Sequence, residues 1–218
     1  MALETPPATG RDPATPAQQP AHRTGERLLG WVLTLGGLIG LVAAGALTVE
    51  KMALLADPAY QPTCSINPVL SCGSVMMTPQ AEVFGFANPL IGVAGFPVVV
   101  TLGVAVLAGL RLPRWIWLGL QAGVTFGVVF VHWLIYQSLY PIGALCPYCM
   151  VVWVAMIAVF WYVTLYNLRQ RNLPVPAALA GVADTLVRNH SFLLLLWYLA
   201  IGALIGVEFW DYWRTLLP

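Results

Sequence analysis

CPYCMVVWVAMIAVFWYVTLYNL, residues 146–168, decides how the rest of the chain is read. The stretch carries no charged side chain and is long enough to cross a bilayer as a helix, which takes roughly 20 mostly apolar residues. Its first four residues form a Cys-Pro-Tyr-Cys motif. Cys146 is expected at the N-cap and Pro147 at the first helical position, where a missing N–H costs nothing. A dithiol is thereby set at the point where a helix enters the membrane.

Four further apolar stretches stand on either side of it: 28–49, 91–110, 115–139 and 192–210, none with Lys or Arg. Across the chain 59% of residues are hydrophobic and only 9% charged, against about 25% charged in a soluble domain. So few charges cannot solvate a soluble surface. The fold class is all-α integral membrane, with five transmembrane helices. A formal net charge of +1 also argues against nucleic acid as a partner, which requires a basic face.

The basic residues orient the spans. A cytoplasmic N-terminus places Arg11, Arg23, Arg27, Arg111, Arg114, Arg169, Arg171 and Arg188 inside and leaves Lys51 and Arg214 outside. The C-terminus then lies outside. Residues 1–26 are rich in Pro, Ala, Thr and Gln and read as a disordered cytoplasmic tail. A cleavable signal over 1–46 is the competing reading, with Ala44-Gly45-Ala46 as its cleavage site. Its apolar run exceeds the roughly 7–15 residues of a signal core, so a retained first span is expected.

This orientation makes residues 50–90 the long outer loop, expected to cap the bundle. Thr78 is a candidate N-cap for a short interfacial helix over 79–87, with Val83, Phe84 and Phe86 towards the membrane. Residues 169–190 form a cytoplasmic loop, and 191–218 the fifth span and its outer tail. All four cysteines fall on the outer side: Cys64 and Cys72 in the cap, Cys146 and Cys149 at the fourth span. Disulfides persist on that side of the membrane.

Three chemistries suit such a set: two structural disulfides, a zinc site using the Cys-x2-Cys spacing, or thiol–disulfide exchange. The helix start favours exchange, because first-turn N–H groups and the helix dipole stabilise a thiolate near Cys149. A dithiol releases two electrons and two protons on closing, and a quinone takes up the same. Two pairs can pass a disulfide between them through a mixed disulfide.

Cys64-Ser-Ile-Asn-Pro-Val-Leu-Ser-Cys72, Cys146-Pro-Tyr-Cys149 and Asn88-Pro-Leu-Ile-Gly92 together resemble the vitamin K epoxide reductase family in its bacterial form, over residues 28–168. The resemblance implies a four-helix catalytic bundle (27–168) around a quinone of the menaquinone or ubiquinone type, in the inner membrane, with the fifth helix as in bacterial members. By matching position, Cys149 would react with the quinone and Cys146 would resolve it. Cys72 would exchange with Cys146, and Cys64 with the outside substrate.

Asn88 would hydrogen-bond a quinone carbonyl, and Phe84 and Phe86 are candidate contacts. Some members place a Tyr where this chain has Trp153, whose indole N–H can also donate. Bacterial members often carry a fused thioredoxin-like domain. This chain stops at Pro218, so the expected partner is a separate exported thioredoxin-like thiol oxidase, with no metal. The implied activity is a thiol:quinone oxidoreductase supporting disulfide formation in exported proteins. The alternatives are a reductase whose main substrate is a quinone or quinone epoxide, and a non-enzymatic subunit with structural disulfides.

Asn88 could also cap the second helix through its oxygen, leaving its NH2 free. His132, inside the third span, is either a proton carrier or a neutral residue bonded to a neighbouring helix. Glu82 is a candidate proton relay. Glu208 and Asp211 among Trp210, Tyr212 and Trp213 read as an outer interface belt, and Trp115 and Trp117 as an inner one. Gly36, Gly37, Gly40 and Gly45 are expected to permit close helix packing.

Overall fold

The computed structural model describes residues 20–174 and 176–216; positions 1–19 of the expected tail lie outside the described residues. Helix α1 (Pro20–Trp31) takes in the remainder of that tail, so the boundary expected at 26 falls inside a helix. It continues through a π-turn (Val32–Gly36) into α2 (Gly37–Ala56). The short helix α3 (Cys72–Met76) and a 3-10 turn (Pro79–Glu82) lie in the cap. Then follow α4 (Pro89–Leu107), α5 (Arg114–Gln137) with a π-turn (Ser138–Ile142), α6 (Pro147–Arg169), α7 (Ala180–Arg188), α8 (His190–Glu208) and α9 (Trp210–Trp213).

Five of these rods are long and apolar enough to cross a membrane: Gly25–Ala56, Pro89–Leu107, Arg114–Ile142, Pro147–Arg169 and His190–Glu208. The chain is therefore a multi-pass helical membrane protein. The cap is shorter than expected, because α2 runs on to Ala56 and carries Glu50 and Lys51 within it. Residues 52–56 are good helix formers. The helix ends at Asp57, which is extended (φ −137°), as a residue before proline prefers. The loop expected over 169–190 contains α7.

α6 is central. It packs on α2 on one side and α5 on the other, while α2 also packs along α4. Apolar on every face, it buries Trp153, Met156, Ile157, Val159, Val163 and Leu165. Glycines set the α2–α4 approach: a Cβ at Gly40 would fall 2.4 Å from the Phe96 ring, and one at Gly103 would fall 2.6 Å from the Thr34 backbone nitrogen. Gly36 and Gly37 also face close neighbours, whereas Gly45 faces open space. Among the described residues α4 and α5 scarcely touch, so the fourth side of the bundle is loose.

The buried Asn167 amide inside the bundle is fully paired, as burial demands. Asn167 donates to Trp117 O (3.3 Å) and Gln121 Oε1 (3.0 Å) and accepts from Asn172 (2.9 Å). Trp117, expected in an interface belt, is instead buried against Tyr166, with ring centroids 4.2 Å apart. Trp115 is exposed as expected. α8 has no buried residue and is attached from outside. Trp197 Nε1 donates to His132 Nε2 (3.0 Å), and Tyr198 donates to Val154 O (2.9 Å).

Candidate active site

Two backbone hydrogen bonds build the site. Leu70 and Leu145 form a parallel bridge, in which Leu145 N–H donates to Val69 O (2.7 Å) and Ser71 N–H donates to Leu145 O (2.8 Å). The residues that follow each partner of this bridge lead directly into Cys72 and Cys146. Ser71 caps α3, its side chain accepting from Ser74 N–H (3.2 Å). Asn67 Oδ1 accepts from Val69 and Leu70 N–H and shapes the turn before it. Nothing in the sequence patterning pointed to this bridge; the short apolar pair before each inner cysteine is its only trace.

The bridge sets the Cys146 Sγ 3.1 Å from the Cys72 Sγ. Cys64 and Cys72 are joined in a disulfide, while Cys146 and Cys149 are free. The sulfurs of Cys64, Cys72 and Cys146 lie within 4.8 Å of one another. Zinc needs thiolates, and the disulfide withdraws two of those three sulfurs from such a role.

Cys146 is the N-cap of α6, as its Cys-Pro spacing predicted, and its sulfur accepts from Cys149 N–H (3.4 Å). The thiolate-stabilising groups therefore converge on Cys146 rather than on Cys149. The Cys149 thiol, donating to the Cys146 sulfur, and the first-turn N–H groups of Cys149 and Tyr148 hold the Cys146 thiol below the ordinary thiol range against the opposing effect of burial.

Cys149 also borders a cavity of about 690 Å³ that lies open between the loose pair α4 and α5, with α6 behind and the cap above. No charged side chain among the described residues lines it. Its walls include Phe96, Val99, Phe126, Phe130, Val131 and Met156, and its few polar positions are Thr78, Gln80, Asn88, Gln137, Ser138 and Trp153. Trp153 is 3% exposed, and its Nε1 has no hydrogen-bond partner among the described residues.

Asn88 does not cap α4. Its backbone is already helical (φ −51°, ψ −36°) instead of having the extended geometry of an N-cap, and no cap bond forms. The side chain instead secures the cap: Nδ2 donates to Gln80 O (2.7 Å) and Oδ1 accepts from Val83 N–H (3.2 Å). Its NH2 is thus half engaged, with one N–H left to donate. Phe84 and Phe86 do not line the cavity. Phe84 packs on Phe130 and Phe126 (5.6 and 6.3 Å between centroids), one ring removed from it, and Phe86 stacks on Phe84.

The helix expected over 79–87 is only the 3-10 turn Pro79–Glu82, and Thr78 makes no cap bond; its hydroxyl donates to Val75 O (2.8 Å). Val83, Phe84 and Phe86 are exposed. Glu82 pairs with the buried Lys51 Nζ at 2.8 Å, and Lys51 also donates to Met76 O (2.7 Å). Next to Lys51, the buried Glu50 carboxylate accepts from the Tyr60 hydroxyl (2.9 Å) and from both the N–H and hydroxyl of Thr63. Sequence reasoning missed this Glu-Lys pair, because it placed both residues in the loop. His132 bonds Val128 O through Nδ1 (2.8 Å) and accepts from Trp197 through Nε2, so both ring nitrogens are occupied in joining α5 to α8.

A search of curated proteins finds no match to the chain. The model of the vitamin K epoxide reductase family matches residues 31–164, which take in all four cysteines, Asn88 and Trp153. Match, helices and sulfur geometry agree, and the chain belongs to the vitamin K epoxide reductase family.

Proposed function

We propose that the chain is a membrane thiol:quinone oxidoreductase that supports disulfide formation in exported proteins. The observation that carries this reading is the contact between the Cys72 and Cys146 sulfurs at 3.1 Å, with Cys149 next in line on an apolar cavity. A dithiol on a separate thioredoxin-like partner reduces Cys64–Cys72. Cys72 then attacks the Cys146 sulfur of an oxidised Cys146–Cys149 pair, and Cys64 resolves the resulting bond. The electrons rest on Cys146 and Cys149, the state in which the free and bonded cysteines are found. Every step is an exchange through a mixed disulfide.

The cavity suits a quinone. Its wall is apolar, and unpaired donors belong to residues that line it, among them Trp153 Nε1 and the second N–H of Asn88, which suits a flat apolar ring with two carbonyl acceptors. Bound there, a quinone of the menaquinone or ubiquinone type supplies an acceptor for two electrons and two protons. Trp153 and Asn88 hold and orient it, Cys149 is the sulfur beside it, and Phe84 and Phe86 back the wall through Phe126 and Phe130. The site faces outward in the inner membrane, a placement supported by the eight arginines of the N-terminal tail and inner loops.

The test is thiol trapping with a mass tag in membranes. Adding quinone to the dithiol-reduced protein should remove two taggable thiols, and Cys149→Ser should prevent it. Four cysteines whose tagging never responds to quinone would leave only a stapled membrane subunit.

A further inference from the structure

The disulfide that an outside thiol must reach is covered. Cys64 is 5% exposed and Cys72 is fully buried, and Tyr60 and Tyr148 pack against the apolar cluster that holds both. Exchange requires the incoming thiolate to touch a disulfide sulfur, so its rate depends on access as well as on thiolate character. A shift of residues 60–63, which carry Tyr60 and lead directly into Cys64, would open part of that cover. Within that segment, Tyr60 N–H bonds Asp57 O and Ser65 N–H bonds Pro62 O, both inside the loop. The bonds that tie it to a transmembrane helix come from one carboxylate, Glu50, which accepts from the Tyr60 hydroxyl and from the N–H and hydroxyl of Thr63, the residue before Cys64. The neighbouring Lys51 holds the opposite flank of the disulfide loop, through Met76 O behind Cys72 and Glu82 beyond it.

We propose that Glu50 is a positioning residue that holds the Tyr60–Thr63 segment closed against Cys64 and so sets how fast a partner protein reacts there, while Lys51 braces α3 behind Cys72 and so supports the internal transfer. The inference rests on the thiol-relay reading above. In the gated step, one thiolate of the partner attacks the Cys64 sulfur and the Cys64–Cys72 bond breaks, with Cys72 leaving as thiolate. The partner's second thiolate then attacks the partner sulfur of the mixed disulfide and releases Cys64. The partner is oxidised by two electrons, the loop pair is reduced by two, and the two protons pass to the Cys64 and Cys72 sulfurs.

The adjacent charges thus divide the work. Release at Glu50 exposes Cys64 without moving Cys72, which stays on the bridge between Leu70 and Leu145.

The experiment follows reduction of Cys64–Cys72 in the full-length protein by mass tagging, with a small dithiol and with a thioredoxin-like protein dithiol as donors. Glu50→Gln weakens charge-assisted bonds and should speed reduction by the protein donor about tenfold, with a much smaller change for the small dithiol. Tyr60→Phe, which removes one of the bonds at a partly exposed position, should give a smaller gain of the same selectivity. Lys51→Met should leave both reduction rates near wild type and slow formation of the Cys72–Cys146 bond.

A loss of structure would expose the disulfide and speed both donors alike, and would not produce the selective gain. Unchanged protein-donor rates in both Glu50→Gln and Tyr60→Phe would overturn the gate. A wild-type disulfide that neither donor reduces would overturn the relay itself, which separates the two failures.

Discussion

Cys146 receives the N–H of Cys149 on the same sulfur that touches Cys72, so the electrostatics that start α6 also tune its reactivity. Its thiol lies below the ordinary range, chiefly through donation from the Cys149 thiol. Exchange needs the thiolate, so its rate should fall as pH drops through a midpoint below the usual value of about 8.5. Cys149→Ser keeps a donating hydroxyl and Cys149→Ala does not. The rate at which Cys64 is released by Cys146 attack on Cys72, followed by tagging across pH, should show a higher midpoint in Cys149→Ala than in Cys149→Ser. Equal midpoints would mean that the backbone N–H groups alone set the shift.

Trp153 gives a second test at this scale. An unsatisfied buried N–H costs roughly 1–3 kcal/mol, so Trp153→Phe should leave the thermal midpoint unchanged or raised. The same change should raise the KM for quinone by roughly three- to tenfold, the worth of one hydrogen bond. The grouping of the cysteines was legible in the sequence from their spacing and the order of the spans, whereas Trp153 was reached only through the family resemblance. The role of Asn88 in securing the cap was not legible, since it depends on where residues 80 and 83 come to lie.

At the scale of elements, four of the five spans were legible to within three residues because hydropathy over a bilayer's length is a strong signal, while the first runs seven residues past its expected end, to Ala56. Elements set by tertiary contact were not legible. The π-turn at Val32–Gly36 coincides with the place where Gly103 of α4 meets Thr34, a crossing that no local pattern encodes. The helix expected over 79–87 shortens to one turn because Asn88 accepts the Val83 N–H and Gly85 reverses the chain with φ +79°.

That crossing predicts unequal glycines. In Gly103→Ala the new methyl meets α1–α2 backbone, which cannot yield as a side chain can, so the thermal midpoint in detergent should fall by an amount matching an overpacking cost of about 1–3 kcal/mol. Gly119→Ala, where a Cβ meets nothing within 4 Å, should leave it near wild type. Equal effects would show that the α2–α4 approach adapts freely.

Over the whole molecule, the relay and the cavity occupy opposite sides of one helix start. Sulfur chemistry takes place under the cap, where α2 supplies Glu50 and Lys51 and α6 supplies Cys146. On the proposed function, acceptor chemistry falls to the cavity where α4 and α5 stand apart and glycines keep the wall low. Gly95 on α4 and Gly119 and Gly123 on α5 all line the cavity, and an added Cβ at any of them meets nothing within 4 Å. Such glycines do no packing work between helices; they leave room between the cavity and the lipid. Gly123→Leu should therefore fill that room without disturbing the bundle. Quinone-linked turnover with a small dithiol should fall by roughly tenfold or more, the scale on which a few misplaced methylenes act in an apolar pocket. Formation of the Cys72–Cys146 bond, which happens under the cap, should proceed at the wild-type rate. If turnover persists in Gly123→Leu, the acceptor reaches Cys149 by a route that does not pass between α4 and α5; if both steps fail together, the two sides of α6 are not independent.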